Sequence, residues 1–216
     1  GHVARSTLMR TGRQQRPTRF RLDSARLVLR PLTDDDFAAW SEVRRRNEDW
    51  LVPWEPLRAP YMPDPARERS AYVARCRARE RESMNDAAYP FGIFADGRLA
   101  GEINLNNIVR GALQTATIGY WIDRRVAGHS YMSEAVVAVL RFAFERLDLH
   151  RVEICIVPRN TNSRRVVEKL DLRCEGTAER YLQIAGVWED HLRFAMTVEE
   201  WRGRADELCA QWLAAT

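Results

Sequence analysis

Apolar and polar positions change rhythm several times along the chain, and each rhythm names an element. Residues 1–22 show no apolar period, which predicts a mobile leader rather than a packed element. Leu27, Leu29 and Leu32 recur around Arg26 and Arg30 as a first strand. Thr33 followed by Asp34, Asp35 and Asp36 supplies a helix start, and Phe37, Trp40 and Val43 follow at helical spacing. Pro53 and Pro56 predict an extended loop over Trp50–Pro56, and a charged helix is expected over Asp64–Met84. Strands near Phe91–Phe94 and Leu99–Ile108 flank Asp96-Gly97, a hairpin signal. Another strand, Thr115–Ile122, leads through a glycine-containing turn into a helix over Tyr131–Leu147. Its apolar residues, from Met132 through Val136 and Leu140 to Phe144, recur every three or four positions. A strand at Arg151–Val157, a short helix at Ser163–Leu170 and strands at Ala178–Ile184 and His191–Val198 come next. Glu199–Ala214 closes the chain as an amphipathic helix. Early strands joined by hairpins and later ones joined by helices indicate an α/β or α+β domain with a mixed sheet.

The 216 residues suffice for one domain with a full core, expected over residues 23–216. No stretch reaches ~18 apolar residues, so no membrane span is expected. Cys76, Cys155, Cys174 and Cys209 are scattered without a CxxC, and with four histidines they suggest reduced thiols of a cytoplasmic protein and no metal site. The net charge of +4 raises the question of nucleic acid. Six arginines and no acid lie in residues 1–22, which leaves −2 for residues 23–216. The domain therefore carries no charge signature of a nucleic-acid binder. Gly1-His2 resembles the remnant of an expression tag, and Met9 offers an alternative start. Lys169 is the only lysine, which reads as codon bias rather than chemistry.

The chemistry concentrates where Thr115–Ile122 turns into the long helix. A tight turn feeding a helix N-terminus presents unpaired N–H groups and the positive end of the helix dipole, a suitable seat for pyrophosphate. It is neither a Walker loop nor a dinucleotide fingerprint. The turn reads Arg125-x-x-Gly128-x-Ser130, which resembles the Q/R-x-x-G-x-G/A acyl-CoA loop of the GNAT N-acetyltransferase superfamily. Asn160-Thr161-Asn162-Ser163, followed by Glu168-Lys169-Leu170-Asp171-Leu172, is similar to that superfamily's N-x-x-S-x-x-x-x-E-K-L-G-F segment. Trp50–Pro56, Asn104–Gly111 and Tyr181–His191 resemble the RimJ/RimL family of N-terminal acetyltransferases. The resemblance spans residues 24 to about 198.

The resemblance implies a GNAT fold: a twisted, mostly antiparallel sheet of about seven strands, splayed between the fourth and fifth, with acetyl-CoA as co-substrate in the wedge. It implies acetyl transfer to the N-terminal α-amine of a protein, alanine- or serine-initiated and ribosomal in that branch. Trp121, Ile122, Asp123, Arg125, Val126, Ala127, Gly128, His129, Ser130, Tyr131, Met132, Ser133 and Asn160 are the implied cofactor-binding positions, with oxyanion donors near Trp121 and Ile122. Ser163 is implied as the group that meets the thioester sulfur. Ser130, His129 and Asp171 depart from the usual residues.

An α-amine has an unperturbed pKa of about 8, so a strong base is not essential. Glu102, mid-strand beside the expected wedge, is the candidate base, with an exposed strand residue as the alternative. Trp50, Trp54, Glu55, Asn107 and Tyr181 are the candidate acceptor wall. His191 reads as a core histidine or a cleft residue, and Arg110 as a substrate contact or a sheet ion pair. The same fold also serves small amines, and a CoA-binding protein without catalysis is a further reading. The chain is expected to act as a monomer or homodimer.

Overall fold

A computed structural model describes residues 20–214. The expected leader falls largely outside them, but its last residues belong to the domain. Phe20 packs edge-on against Tyr89 and Phe142, and β1 (Leu22–Asp23) pairs with β2 (Leu27–Arg30).

The sheet has eight strands in the order β1-β2-β3-β4-β5-β6-β8-β7, where β3 is Tyr89–Ala95, β4 Arg98–Val109 and β5 Thr115–Ile122. The last three are β6 (Arg151–Ile156), β7 (Arg173–Ile184) and β8 (Val187–Thr197). Every pairing is antiparallel except β5 with β6. That parallel pair is registered only at Thr115↔Arg151, Ala116↔Val152 and Thr117↔Glu153. Beyond these residues the strands part, and a wedge opens in the middle of the sheet.

Side-chain alternation assigns the two faces. Ile103, Leu105, Ala116, Ile118, Val152, Ile154, Phe194 and Met196 are buried together with residues of α4 (Tyr131–Arg141), α5 (Thr161–Lys169) and α6 (Val198–Trp212). The opposite face packs a smaller core of Trp40, Val43, Tyr72, Cys76 and Leu99 beneath α1 (Phe37–Arg46) and α3 (Arg69–Met84). Residues 132–140 of α4 are all buried, as expected of a helix enclosed on every side. The helix runs on through a π turn, Phe142–Arg146, closed by Leu147 N–H donating to Phe142 O at 3.1 Å.

Several boundaries depart from the sequence reading. The expected extended loop holds only at Glu55–Pro56; over Trp50–Trp54, α2 (Glu48–Leu51) runs into a 3-10 turn at Val52–Trp54. Pro53 sits in the opening positions of that turn, where a missing N–H is no loss. The charged helix begins at Arg69, not Asp64, because Asp64 precedes Pro65 and instead accepts the Ala66 N–H in a turn. β7 starts five residues before its expected position. Its outer residues are nearly all exposed, so no alternation marks them.

Candidate functional site

The wedge is the mouth of a cleft of about 470 Å³ whose lining includes Trp50, Trp54, Glu55, Asn107, Trp121, Ile122, Met132, Cys155, Asn160, Ser163, Tyr181 and His191. Residues of α2, β4, β5, α4, β6, α5, β7 and β8 contribute to it, and most of the expected acceptor and sulfur-side residues meet there.

Where the resemblance places the phosphates, β5 passes through a 3-10 turn, Arg124–Val126, into α4. Gly128 has φ 89° and Ser130 φ 61°, so the chain turns with two left-handed residues before the helix. No described side chain caps α4, which leaves the first-turn N–H groups of Tyr131, Met132 and Ser133 available to an anion. Ser130 Oγ accepts from Lys169 Nζ at 2.6 Å, bringing the chain's single lysine to the loop. His129 leans on Tyr131, with ring centroids 5.5 Å apart.

Asp123 and Ser133, two of the expected cofactor residues, are tied by their side chains to neighbouring elements. Asp123 is buried and accepts from Arg125 N at 3.1 Å, Asn47 Nδ2 at 2.9 Å and Arg46. Burial pushes its carboxyl up, but the Arg46 and Asn47 hydrogen bonds outweigh this and hold it below the usual range. Asn47 Oδ1 also accepts from Arg124 N at 3.0 Å, so α1 clamps the loop. Ser133 Oγ donates to Val166 O at 3.1 Å and ties α4 to α5. Only its backbone N–H remains for a ligand.

The strand register identifies the donors that face the wedge. Asp123 N–H donates to Ala100 O at 2.7 Å, and the β4/β5 register pairs Trp121 with Glu102 two residues earlier. Backbone groups alternate sides along a strand, so the Trp121 N–H turns to β4 while those of Tyr120 and Ile122 turn to the gap. Trp50 Nε1 donates to Ile122 O at 3.2 Å, consistent with that orientation. Of the two expected oxyanion positions, Ile122 turns its N–H to the gap and Trp121 does not.

On the sulfur side Asn160, not Ser163, is the N-cap of α5. Its Oδ1 accepts Ser163 N–H at 3.2 Å. Ser163 Oγ donates to the Tyr120 hydroxyl at 3.2 Å, and that hydroxyl donates to Ser163 O at 2.9 Å. Burial raises the Tyr120 phenol well above its ordinary value. The sequence reading missed Tyr120. Its signal was there in the alternation: it shares the face of Ala116 and Ile118, and a buried tyrosine hydroxyl needs a partner.

The acceptor wall is more constrained than its sequence suggests. Trp54 lies under the Arg159 guanidinium at 4.6 Å, and Asn107 donates to Thr117 Oγ1 at 3.1 Å. Both Glu55 oxygens accept from Arg44 at 2.8 Å. Tyr181 meets His191 edge-on, with ring centroids 5.6 Å apart. Arg110 is engaged by Asp86 and by Leu147 O, so its ion pair is internal to the fold.

Glu102 requires correction. It is 2% exposed on the α1/α3 face and does not line the cleft. Its carboxylate accepts from Trp40 Nε1 at 3.0 Å, Trp121 Nε1 at 2.9 Å and Arg75 at 3.0 Å. Burial pushes its carboxyl up, yet the Arg75 charge and the Trp40 hydrogen bond outweigh this and hold it below the usual range. An ionised, fully engaged carboxylate behind Trp121 is a strut for the cleft wall, not a proton acceptor.

Comparison with known proteins gives one consistent result. A family model described as an acetyltransferase (GNAT) domain matches residues 26–173. The probable N-acetyltransferase YjcK of Bacillus subtilis is 39% identical over 170 residues, covering 76% of this chain and 90% of its own length. The ribosomal protein uS5 alanine N-acetyltransferase of Escherichia coli is 31% identical over 183 residues, covering 84% and 92%. Among solved structures, Mycobacterium smegmatis RimJ in complex with CoA-disulfide superposes with a TM-score of 0.80 at 31% identity, covering 92% of this chain and 96% of that one.

Proposed function

The chain belongs to the GNAT acetyltransferase family, an acyltransferase, and on that premise we propose that it moves the acetyl group of acetyl-CoA to the N-terminal α-amine of a protein, alanine- or serine-initiated and ribosomal. The observation that carries this reading is the wedge itself. It is a cleft lined by the Trp50–Trp54 segment and by the Tyr181–His191 hairpin, which meet at one rim where Ala185 N–H donates to Glu55 O at 2.8 Å. An extended peptide terminus fits such an opening. A polyamine would call for free carboxylates, whereas Glu55 is bound to Arg44 and Glu102 lies outside. The uS5 alanine acetyltransferase of Escherichia coli and Mycobacterium smegmatis RimJ support the same acceptor class.

The residues present fit acetyl-CoA as co-substrate, which supplies the acyl group as a thioester. The uncapped first turn of α4 and the left-handed Gly128 and Ser130 suit the pyrophosphate. Ile122 N–H, fixed in a strand and directed into the gap, is set to stabilise the oxyanion that develops at the carbonyl. Ser163 Oγ supplies the proton for the departing sulfur, held in place by Tyr120. The α-amine needs only modest help to lose its proton, which favours it over a lysine amine near 10.4.

Turnover of acetyl-CoA against a panel of N-terminal peptides, beside free lysine and polyamines, tests the proposal. Peptides that begin with Ala or Ser should give the highest kcat/KM. Equal or better turnover of the small amines overturns it.

A further inference from the structure

We propose that His191 accepts the proton of the attacking amine, with Nε2 as the receiving atom; the inference rests on the acetyltransferase reading above. His191 is 3% exposed and lines the cleft on β8. Leu192, Phe194 and Met196 of the same strand turn to the α4/α6 face, so alternation turns His191 to the opposite face. Trp121 turns the same way on β5, as its bond to Glu102 shows.

The ring's hydrogen-bonding pattern fixes its tautomer. His191 Nδ1 lies 2.9 Å from Glu189 O. A carbonyl only accepts, so Nδ1 carries the hydrogen and the neutral ring keeps its lone pair on Nε2. That nitrogen has no partner among the described residues. Tyr181 holds the ring edge-on at 5.6 Å and limits its rotation.

The remaining titratable groups of the cleft do not offer such a lone pair. Glu55 is held by Arg44. Burial pushes the Cys155 thiol and the Tyr120 phenol up, so both stay protonated. Tyr181 presents a phenol. The charged groups around His191 are already engaged: Glu189 binds Arg159 at 2.6 Å, Asp190 accepts Arg180 N–H at 2.8 Å, and Arg193 lies over the Tyr181 ring.

In the step, the amine nitrogen bonds to the acetyl carbon and its proton passes to Nε2, while the carbon–sulfur bond breaks and Ser163 Oγ–H protonates the sulfur. The imidazolium then releases its proton to solvent, and Ser163 recovers one, which leaves the amide and free thiol.

His191→Asn tests the assignment. Its amide can still donate to Glu189 O while the Nε2 lone pair is gone. With the amine that the wild type acetylates fastest, kcat should fall about 10²-fold or more, with acetyl-CoA Kd by calorimetry and the melting temperature both near wild type. His191→Gln, which loses the bond to Glu189 but keeps the volume, should lose kcat to a similar extent. Retention of kcat within threefold in a folded, CoA-binding Asn variant overturns the proposal, as does an equal loss of kcat and acetyl-CoA affinity. Because the amine is chosen by the wild type, this outcome is independent of whether that amine is a peptide.

Discussion

Ser163 and Tyr120 form a reciprocal pair, in which each hydroxyl has the other residue as its partner. If Ser163 protonates the departing sulfur as proposed, Ser163→Ala should lower kcat about 10²-fold while leaving acetyl-CoA Kd near wild type. Equal losses in both constants would instead make it a binding residue. Tyr120→Phe deletes the acceptor for Ser163 Oγ and the donor to Ser163 O. It should cost about 1 kcal/mol of stability, measured by urea titration, beside a smaller loss of kcat. Glu102 predicts a different pattern. Replacing it with Gln leaves Arg75 without its charge partner, and stability should drop by about 3 kcal/mol. The folded carboxyl binds its proton less readily than the unfolded one, so its contribution is full above the unfolded value of about 4.3. It is lost as pH falls through the lower folded value. Urea melts from pH 7 to 3 should show a steeper acid loss for the wild type than for Glu102→Gln. The sequence could place Glu102 on a strand beside the wedge but not say which face it took. Trp40 and Trp121, its partners, lie 62 and 19 residues away.

At the scale of elements, α5 shows how a departure from the family pattern is accommodated. Asp171 has φ 51°, and its N–H donates to Glu168 O while Leu172 N–H donates to Val167 O. Together these bonds form a Schellman ending with an aspartate in the glycine position. Asp171→Gly should raise stability by about 0.5–1 kcal/mol and Tm by about 2–4 °C, read by calorimetry. An unchanged or lower Tm would mean that the Asp side chain has an unrecognised role. Local chemistry of this kind was legible: the aspartate ending followed from one residue and its neighbours. So did the start at Thr33, which opens a 3-10 turn over Asp34–Asp36 that leads into α1, and the hairpin at Asp96-Gly97. The Trp50–Trp54 segment was not, because a proline rule that forbids helix interiors says nothing against a first turn. The exposed half of β7 was hidden for another reason: an edge strand with both sides wet leaves no apolar record in its sequence.

For the molecule as a whole, the decisive event is that β5 and β6 pair over three residues and then separate. Nothing in either strand's own composition announces the split; both alternate like ordinary strands. Only the resemblance to a family supplied it, and the orientation of Ile122, which depends on the register with β4, was not legible. Occupation of the wedge should stabilise the whole domain. Acetyl-CoA at a hundred times its Kd should add about 2.7 kcal/mol, a rise of several degrees in Tm. A Tm independent of ligand concentration would contradict this. The split also gives the protein an unusual seam. Most sheets confine their bare backbone donors and acceptors to the outer strands and blunt them there with charge or curvature. Here the amides of Tyr120 and Ile122 face the gap at the centre of the sheet, beyond the last registered pair with β6 and without a strand partner among the described residues. Hydrogen exchange at these two amides should be fast in the free protein and slow once the seam is filled, and storage with the nucleotide bound should keep the protein from self-association.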